Sequence, residues 1–343
     1  MKAVVKYQKG SGNVEVREMP EPQCTDDKVI LEVAHCGVCG TDLHVYHDTF
    51  RNFPPVILGH EFSGRIVEVG KNVKNVNIGE NYCVLGATAV QCGSCQYCES
   101  GEFMFCKNRR GMGHGVNGAF TRYTAIRPNQ LFSIPDGVPL EQAALVEPFA
   151  VAVHVVEEIA KFRLGDTVLL SGPGPIGLLC LKVLAAHGLK VIVVGTADDE
   201  MRLETAKKYG ASATLVAGRD NITDHVESQT NGLGVALAIE CAGAEASVVN
   251  CLNALRPLGQ YVQVGHFGKD LTVPWDLVAF RQLRIHGSVG YTKDTWRRAI
   301  TMLDQNIVNL GDVITHQFDI TDWEEAFNLM WDKQAIKILL NPN

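Results

Sequence analysis

The sequence predicts a two-domain α/β protein, with a mostly β region followed by a doubly wound parallel sheet. Three observations carry this expectation. Residues 1–153 hold short alternating runs broken by Gly, Pro and Asn, after which the pattern changes to strand, glycine-rich turn and helix at βαβ spacing. The 343 residues, 46% hydrophobic and 20% charged, are enough chain to bury about two cores.

In chain order, Lys28–Ala34 and Gly64–Gly70 alternate apolar and polar residues and read as half-buried antiparallel strands. Thr167–Ser171 then reads as a strand, Ile176–His187 as a helix and Lys190–Val194 as the next strand, the start of a parallel sheet covered by helices. Further strands are expected at Val235–Glu240, Gln260–Val264 and Arg284–Gly287. Helical periods return at Thr295–Gln305 and Trp323–Trp331, before the apolar ending Ala335–Leu340. That tail is too short for a third domain and is expected to pack back on the first. The predicted organisation is therefore residues 1–153 with a cysteine lobe at about 90–110, residues 154–290, and a returning segment 291–343.

Composition excludes several classes. The formal net charge is −7 and the 31 basic residues are scattered, so no basic stripe offers itself to nucleic acid. No run approaches the 18 or so apolar residues of a membrane span, and the first residues lack an apolar stretch of signal-peptide length. A cytoplasmic protein with neither nucleic-acid nor membrane partners is expected. Its eleven cysteines then need a reason other than disulfides.

Spacing supplies that reason. Cys92, Cys95, Cys98 and Cys106 can close a tetrahedron around one Zn²⁺, and four protein ligands leave no open position, so such a zinc is structural. An iron–sulfur cluster is the competing use of four cysteines. A second set joins Cys39-Gly-Thr41-Asp42-x-His44 with His60-Glu61 and Glu147-Pro148. Cysteine, histidine and carboxylate all bind zinc, and a catalytic zinc keeps a position open for water or substrate. Thr41, two residues past Cys39, is a candidate proton acceptor, His44 a candidate relay toward solvent, and Asp42 a candidate orienting group.

Gly172-Pro-Gly174-Pro175-Ile176-Gly177 lies between a predicted strand and a predicted helix. In that context the first glycine permits a tight turn, the second lets backbone approach a pyrophosphate, and the third lets helix pack on strand. After the second strand comes Thr196-Ala197-Asp198-Asp199-Glu-Met-Arg202. Asp198 or Asp199 would hold a ribose 2′-hydroxyl and repel a 2′-phosphate, whereas Ala197 with Arg202 would admit the phosphate. NAD is expected on the strength of the two aspartates, with NADP the alternative.

With these segments in this order, the chain resembles the zinc-containing medium-chain dehydrogenases over essentially its whole length, most nearly the sorbitol (polyol) and threonine dehydrogenases. The resemblance implies a GroES-like catalytic domain, a Rossmann cofactor domain and two zinc ions per chain. It makes Cys39, His60 and Glu61 the catalytic zinc ligands, with Glu147 either the fourth ligand or linked to the metal through water. Alcohol dehydrogenases place a cysteine in that segment, and none replaces Glu147 here. It also implies that Lys337 reaches the cofactor phosphates, that Gly265 and Ser288 flank the nicotinamide, and that the protein is a homo-oligomer, tetramer or dimer, with Arg284–Gly287 available to pair across a two-fold axis. One departure is Ala197, where most NAD-using relatives have Asp.

The function expected from this is oxidation of a secondary hydroxyl in a polyol or sugar alcohol to a ketose. Oxidation of a hydroxy amino acid such as threonine is the nearest alternative, for which Arg51 is the candidate carboxylate anchor. A non-catalytic dinucleotide-binding zinc protein is the alternative from another class.

Overall fold

The computed structural model describes residues 1–342. The chain forms two compact units, one of Met1–Glu147 with Thr292–Asn343 and one of Pro148–Tyr291.

The first unit is built on a mostly antiparallel sheet. Its spatial order is Ile314–Asp319, Lys337–Asn341, Val29–Gly37, Glu61–Val69, Asn81–Val84 and Leu131–Ser133, with Tyr123–Ile126 also pairing to Val29–Gly37. A small sheet of Val14–Glu18, Lys2–Lys6 and Val56–Ile57 accompanies it. The C-terminal strand joins this unit directly, Leu339 opposite Gly37 and Leu340 opposite Cys36. Val29, Leu31, Val33, Phe62 and Ile66 supply part of one apolar core, to which Trp323, Phe327 and Met330 of the C-terminal helix Trp323–Trp331 also belong.

Both predicted strands extend further toward the metal ligands than the alternation suggests. Val29–Gly37 runs to within two residues of Cys39, and Glu61–Val69 begins immediately after His60. The predicted start at Gly64 falls inside the observed strand Glu61–Val69, where the neighbouring strand is close. A Cβ there would strike the Glu32 carbonyl, so glycine marks a tight backbone approach.

The second unit is a six-stranded parallel sheet. Its strands are β1 (Thr167–Ser171), β2 (Lys190–Gly195), β3 (Ala213–Val216), β4 (Val235–Glu240), β5 (Leu255–Gln263) and β6 (Arg284–Gly287), in the order β3-β2-β1-β4-β5-β6. This is the doubly wound arrangement, with strand order reversing between β1 and β4. Every residue of β4 is buried, as expected for a central strand whose two faces are both covered. β5 begins five residues before the predicted Gln260, because Arg256-Pro-Leu-Gly259 continues the strand through a register shift instead of turning away.

Leu170 in β1 is fully buried. Leu170→Ala is expected to lower unfolding free energy by about 2–5 kcal/mol, read as a reduced urea midpoint with an unchanged slope.

Candidate metal centre and cofactor turn

Antiparallel register assembles the first site. Gly37 lies opposite Glu61, so the end of one strand and the start of its neighbour bring Cys39 beside His60 and Glu61. Candidate ligand atoms from Cys39, His60 and Glu61 all lie within 4.8 Å of one another.

Asp42 fixes this geometry. Cys39 caps the helix Gly40–Tyr46, and its backbone N–H donates to Asp42 Oδ2 at 3.0 Å. Gly59 N donates to Asp42 Oδ1 at 3.3 Å, and the same oxygen faces His60 Nδ1 at 3.6 Å. The carboxylate is 1% exposed, so it ties both ligand-bearing segments together away from water. Burial disfavours the charged His60 ring, but the negative groups of Asp42 and Cys39 more than reverse this and raise its pKa well above the ordinary range.

Glu61 is wholly buried with its two oxygens in different states. Oε2 receives the ammonium of Lys337, while Oε1 has no hydrogen-bond partner. Soft sulfur, an imidazole and a carboxylate oxygen converging on one point suit zinc. The unpartnered Oε1 gives a fourth reason for a cation there, since a buried carboxylate oxygen without a partner is costly.

Lys337 departs from its expected role. It was expected to reach cofactor phosphates, but its side chain is 1% exposed and its Nζ donates to Val38 O at 2.8 Å and to Glu61. Burial opposes its charge, and the negative groups Glu61, Cys39 and Glu147 outweigh that effect and raise its pKa. A lysine held in this way orients Glu61 and is not presented to a phosphate. No local signal in the sequence marks that role, because it depends on the C-terminal strand pairing with Val29–Gly37.

Glu147 is buried and lies close enough to contribute to the field on Lys337, but it is outside the three-residue ligand cluster. Thr41 is half-buried in the first turn after Cys39, whereas His44 is exposed, its Nδ1 3.0 Å from Thr49 Oγ1.

The four cysteines of the lobe do converge. Sulfur separations are 3.9 Å for Cys92–Cys98, 3.5 Å for Cys95–Cys98 and 3.6 Å for Cys106–Cys92. A tetrahedron with Zn–S bonds of about 2.3 Å has edges of about 3.8 Å. These spacings fit that cage and are far too long for disulfides. Backbone amides of Ser94 and Cys95, together with the Cys95 side chain, pull the Cys92 thiol down to about 6, toward the thiolate that binds metal.

In the second unit, Gly172–Gly177 leaves the C-terminal end of β1 at the point where strand order reverses. Gly172 has φ +98°, and a Cβ there would approach Ala242 N at 2.5 Å. A Cβ on Gly177 would strike the Gly172 carbonyl, so the helix Pro175–Ala186 can pack this close only with glycine. Buried Glu240 braces the neighbouring edge, accepting from Ala242 N and Gly243 N at 2.9 Å each and from Gln263 Nε2 at 2.7 Å. Gly265 follows β5 and Ser288 follows β6, placing both at the C-terminal edge of the sheet where such folds bind nucleotides.

After β2, Ala197 and Asp198 are exposed, but Asp199 turns inward, its Oδ2 accepting from Thr196 N at 2.9 Å and Thr196 Oγ1 at 2.7 Å. Arg202 also departs from expectation. It is 6% exposed with Nη1 3.7 Å from Asp199 Oδ1, a helix-anchoring arginine withdrawn from any ribose phosphate.

A Cys/His/Glu metal cluster, a four-cysteine cage and a glycine turn on a doubly wound sheet define a metal-dependent dehydrogenase using a dinucleotide. Comparison with known proteins agrees. Residues 25–136 match the alcohol dehydrogenase GroES-like domain and residues 175–305 the zinc-binding dehydrogenase family. The chain is 36% identical to a sorbitol dehydrogenase of Halalkalibacterium halodurans, covering 100% of this chain and 99% of that one. It is 34% identical to a D-arabitol-phosphate dehydrogenase of Enterococcus avium (100% and 98%) and 32% identical to an L-threonine 3-dehydrogenase of Photorhabdus laumondii (99% and 99%). Among solved structures, galactitol-1-phosphate dehydrogenase from Escherichia coli superposes with a TM-score of 0.90 at 26% identity over 100% of both chains. The chain belongs to the zinc-containing medium-chain dehydrogenases. It is an oxidoreductase of the alcohol dehydrogenase type that uses zinc and a nicotinamide dinucleotide.

Two substitutions test the geometry. Asp42→Asn is expected to weaken zinc binding at the Cys39 site by roughly 10- to 100-fold, measured by chelator competition, while the four-cysteine zinc stays in place. Gly172→Ala forces a side chain into both a positive-φ position and a backbone contact, and NADH binding followed by fluorescence is expected to weaken by roughly tenfold or more.

Proposed function

We propose that this protein oxidises a secondary hydroxyl of a polyol or sugar alcohol to the corresponding ketose, with hydride transfer to NAD. The carrying observation is the ligand set. Cys39, His60 and Glu61 converge with Glu147 buried nearby, so oxygen donors stand where a more thiolate-rich site would hold cysteine. Two similar proteins, named for sorbitol and arabitol phosphate, support a polyhydroxylated substrate.

Zinc, when bound, stabilises the alkoxide form of a coordinated alcohol, as it lowers the pKa of bound water to about 7 in catalytic sites. The chain's own residues then divide the work. Cys39, His60 and Glu61 hold the metal, and Asp42 and Lys337 hold the ligands. Glu147, buried nearby, would be the fourth ligand or act through water. Thr41 would take the hydroxyl proton while passing its own on, and His44, three residues on and therefore on the same side of the helix, would release it to solvent. A bound nicotinamide would supply the acceptor for the carbon-bound hydrogen, taken as hydride with the two electrons that the alcohol loses.

Gly172, Gly174, Pro175, Ile176 and Gly177 form the pyrophosphate turn, with Gly265 and Ser288 beside the nicotinamide. The exposed Asp198 disfavours a 2′-phosphate, and Arg202 is too deeply buried to attract one. NAD is therefore the working cofactor. The exposed strand β6 at the sheet edge is the surface we assign to a homo-oligomer contact.

The second reading, oxidation of a 2-amino-3-hydroxy acid, has the threonine dehydrogenase relatives in its favour. Initial rates on polyols, L-threonine and primary alcohols with each cofactor separate the two. Polyol turnover to ketose, with NAD preferred by about tenfold or more and activity lost on zinc removal, is expected. Turnover confined to threonine would replace this reading with the second.

A further inference from the structure

A cavity of about 210 Å³ in the first unit is lined by Arg51, Phe53, Lys107, Arg109, Arg110 and His114, among others, and by no acidic residue. Phe53 gathers the charge. The guanidinium carbons of Arg51 and Arg110 stand 4.9 and 4.4 Å from its ring centroid, so two cations from segments far apart in sequence lie against one ring. Among the described residues, Arg51, Lys107 and Arg110 form no ion pair with a carboxylate. Like charges held together this way repel, and an anion is the natural relief.

One wall of the cavity is tied to the segment that leads into His60. A side chain on Gly113 would press on the backbone of Gly59, the residue before His60, so the segment carrying His114 is seated against that ligand's strand. Phe53 N donates to His114 O at 2.9 Å, and the ring of Phe50 meets His114 edge-on at 5.2 Å. Burial, the largest effect, pushes the His114 ring's pKa down, so it forms a neutral part of the wall.

We propose that this cavity binds the phosphate of a phosphorylated polyol, with Arg51 and Arg110 as the principal donors, while the hydroxyl end of the substrate reaches the Cys39–His60–Glu61 site. The inference rests on the polyol reading above. A phosphate monoester carries nearly two negative charges and accepts the paired N–H groups of a guanidinium. An amino acid substrate fits less well, because its ammonium would enter a cation-lined cavity with no carboxylate to meet it. Lys107, Arg109 and Arg110 follow Cys106 directly and would also offset the charge of four thiolates on zinc. Arg51 lies outside that lobe, and its presence on the same ring is what charge balance alone leaves unexplained.

The test is steady-state kinetics of the zinc-loaded enzyme with NAD on D-arabitol and D-sorbitol and on their terminal phosphate esters. The phosphate esters are expected to be preferred by roughly 100-fold in kcat/KM, with a KM that rises with ionic strength. Arg51→Gln combined with Arg110→Gln is expected to cut that preference by roughly 10- to 100-fold, through KM and not kcat. Arg110→Lys, which keeps charge but loses the fork, should retain part of it. No preference in the unmodified enzyme, or a preference that the double variant leaves unmoved, would overturn the proposal and leave the cations as balance for the cysteine cage. Threonine oxidation abolished by the double variant would also overturn it, by giving the cavity to a carboxylate. If no polyol or phosphate ester is oxidised, the polyol reading itself fails, and calorimetric titration with inorganic phosphate decides the cavity. Binding lost in the double variant upholds an anion site, and no binding in the unmodified enzyme refutes it.

Discussion

The buried carboxylate of Asp42 is the interaction on which the metal centre depends. Two backbone N–H groups, from Cys39 and Gly59, donate to it, and it faces the His60 ring. These belong to segments on opposite sides of one strand pair. Removing a carboxylate from water is expensive unless its oxygens are satisfied, and here the groups that satisfy it are those that must be positioned. The cost of burial is thereby converted into a fixed separation between a thiol and an imidazole. Register alone brings the strands together, but it leaves the two residues beyond Gly37 and the one before Glu61 free to wander.

Lys337 performs the complementary task on the other ligand. Its ammonium occupies one oxygen of Glu61 and leaves the second without a partner in the interior. A buried ion pair is weak evidence for stability, since desolvation can consume the attraction. Its value here is orientation. The strand that carries Lys337 comes from the end of the chain and pairs beside the strand leading to Cys39, so folding of the first unit and completion of its metal centre are one event. The cation-lined cavity extends the same logic outward, because its walls come from the segment after the Cys39 helix and the segment after the cysteine cage.

Much of this was legible in the sequence, for identifiable reasons. The predicted bounds of β1, β4 and β6 coincide with those observed; for β1 and β4 the reason is that buried parallel strands read as short apolar runs with clear breaks, whereas β6 is a short, mostly exposed edge strand. The four-cysteine spacing pointed to a cage, and the sulfurs do converge. What was misread has a common cause in tertiary context. The strands predicted to start at Gly64 and Gln260 both begin earlier, at Glu61 and Leu255, because neighbouring strands dictate their path. Arg202 is offered by its charge to a phosphate and Lys337 by the family resemblance, yet packing turns both inward, onto Asp199 and Glu61. Phe53, in sequence only a loose candidate for lining a substrate cleft, lies between the guanidinium groups of two arginines distant in sequence.

The account stands on two chemically different zinc sites in one chain. Zinc K-edge absorption of the purified protein measures them together, without reference to turnover. Two four-coordinate sites, one of four thiolates and one with Cys39 as its sulfur ligand beside nitrogen and oxygen, predict about 2.5 sulfur and about 1.5 nitrogen or oxygen neighbours averaged per zinc. A spectrum with sulfur alone, from a single zinc per chain, would contradict the Cys39–His60–Glu61 centre and with it the proposed chemistry.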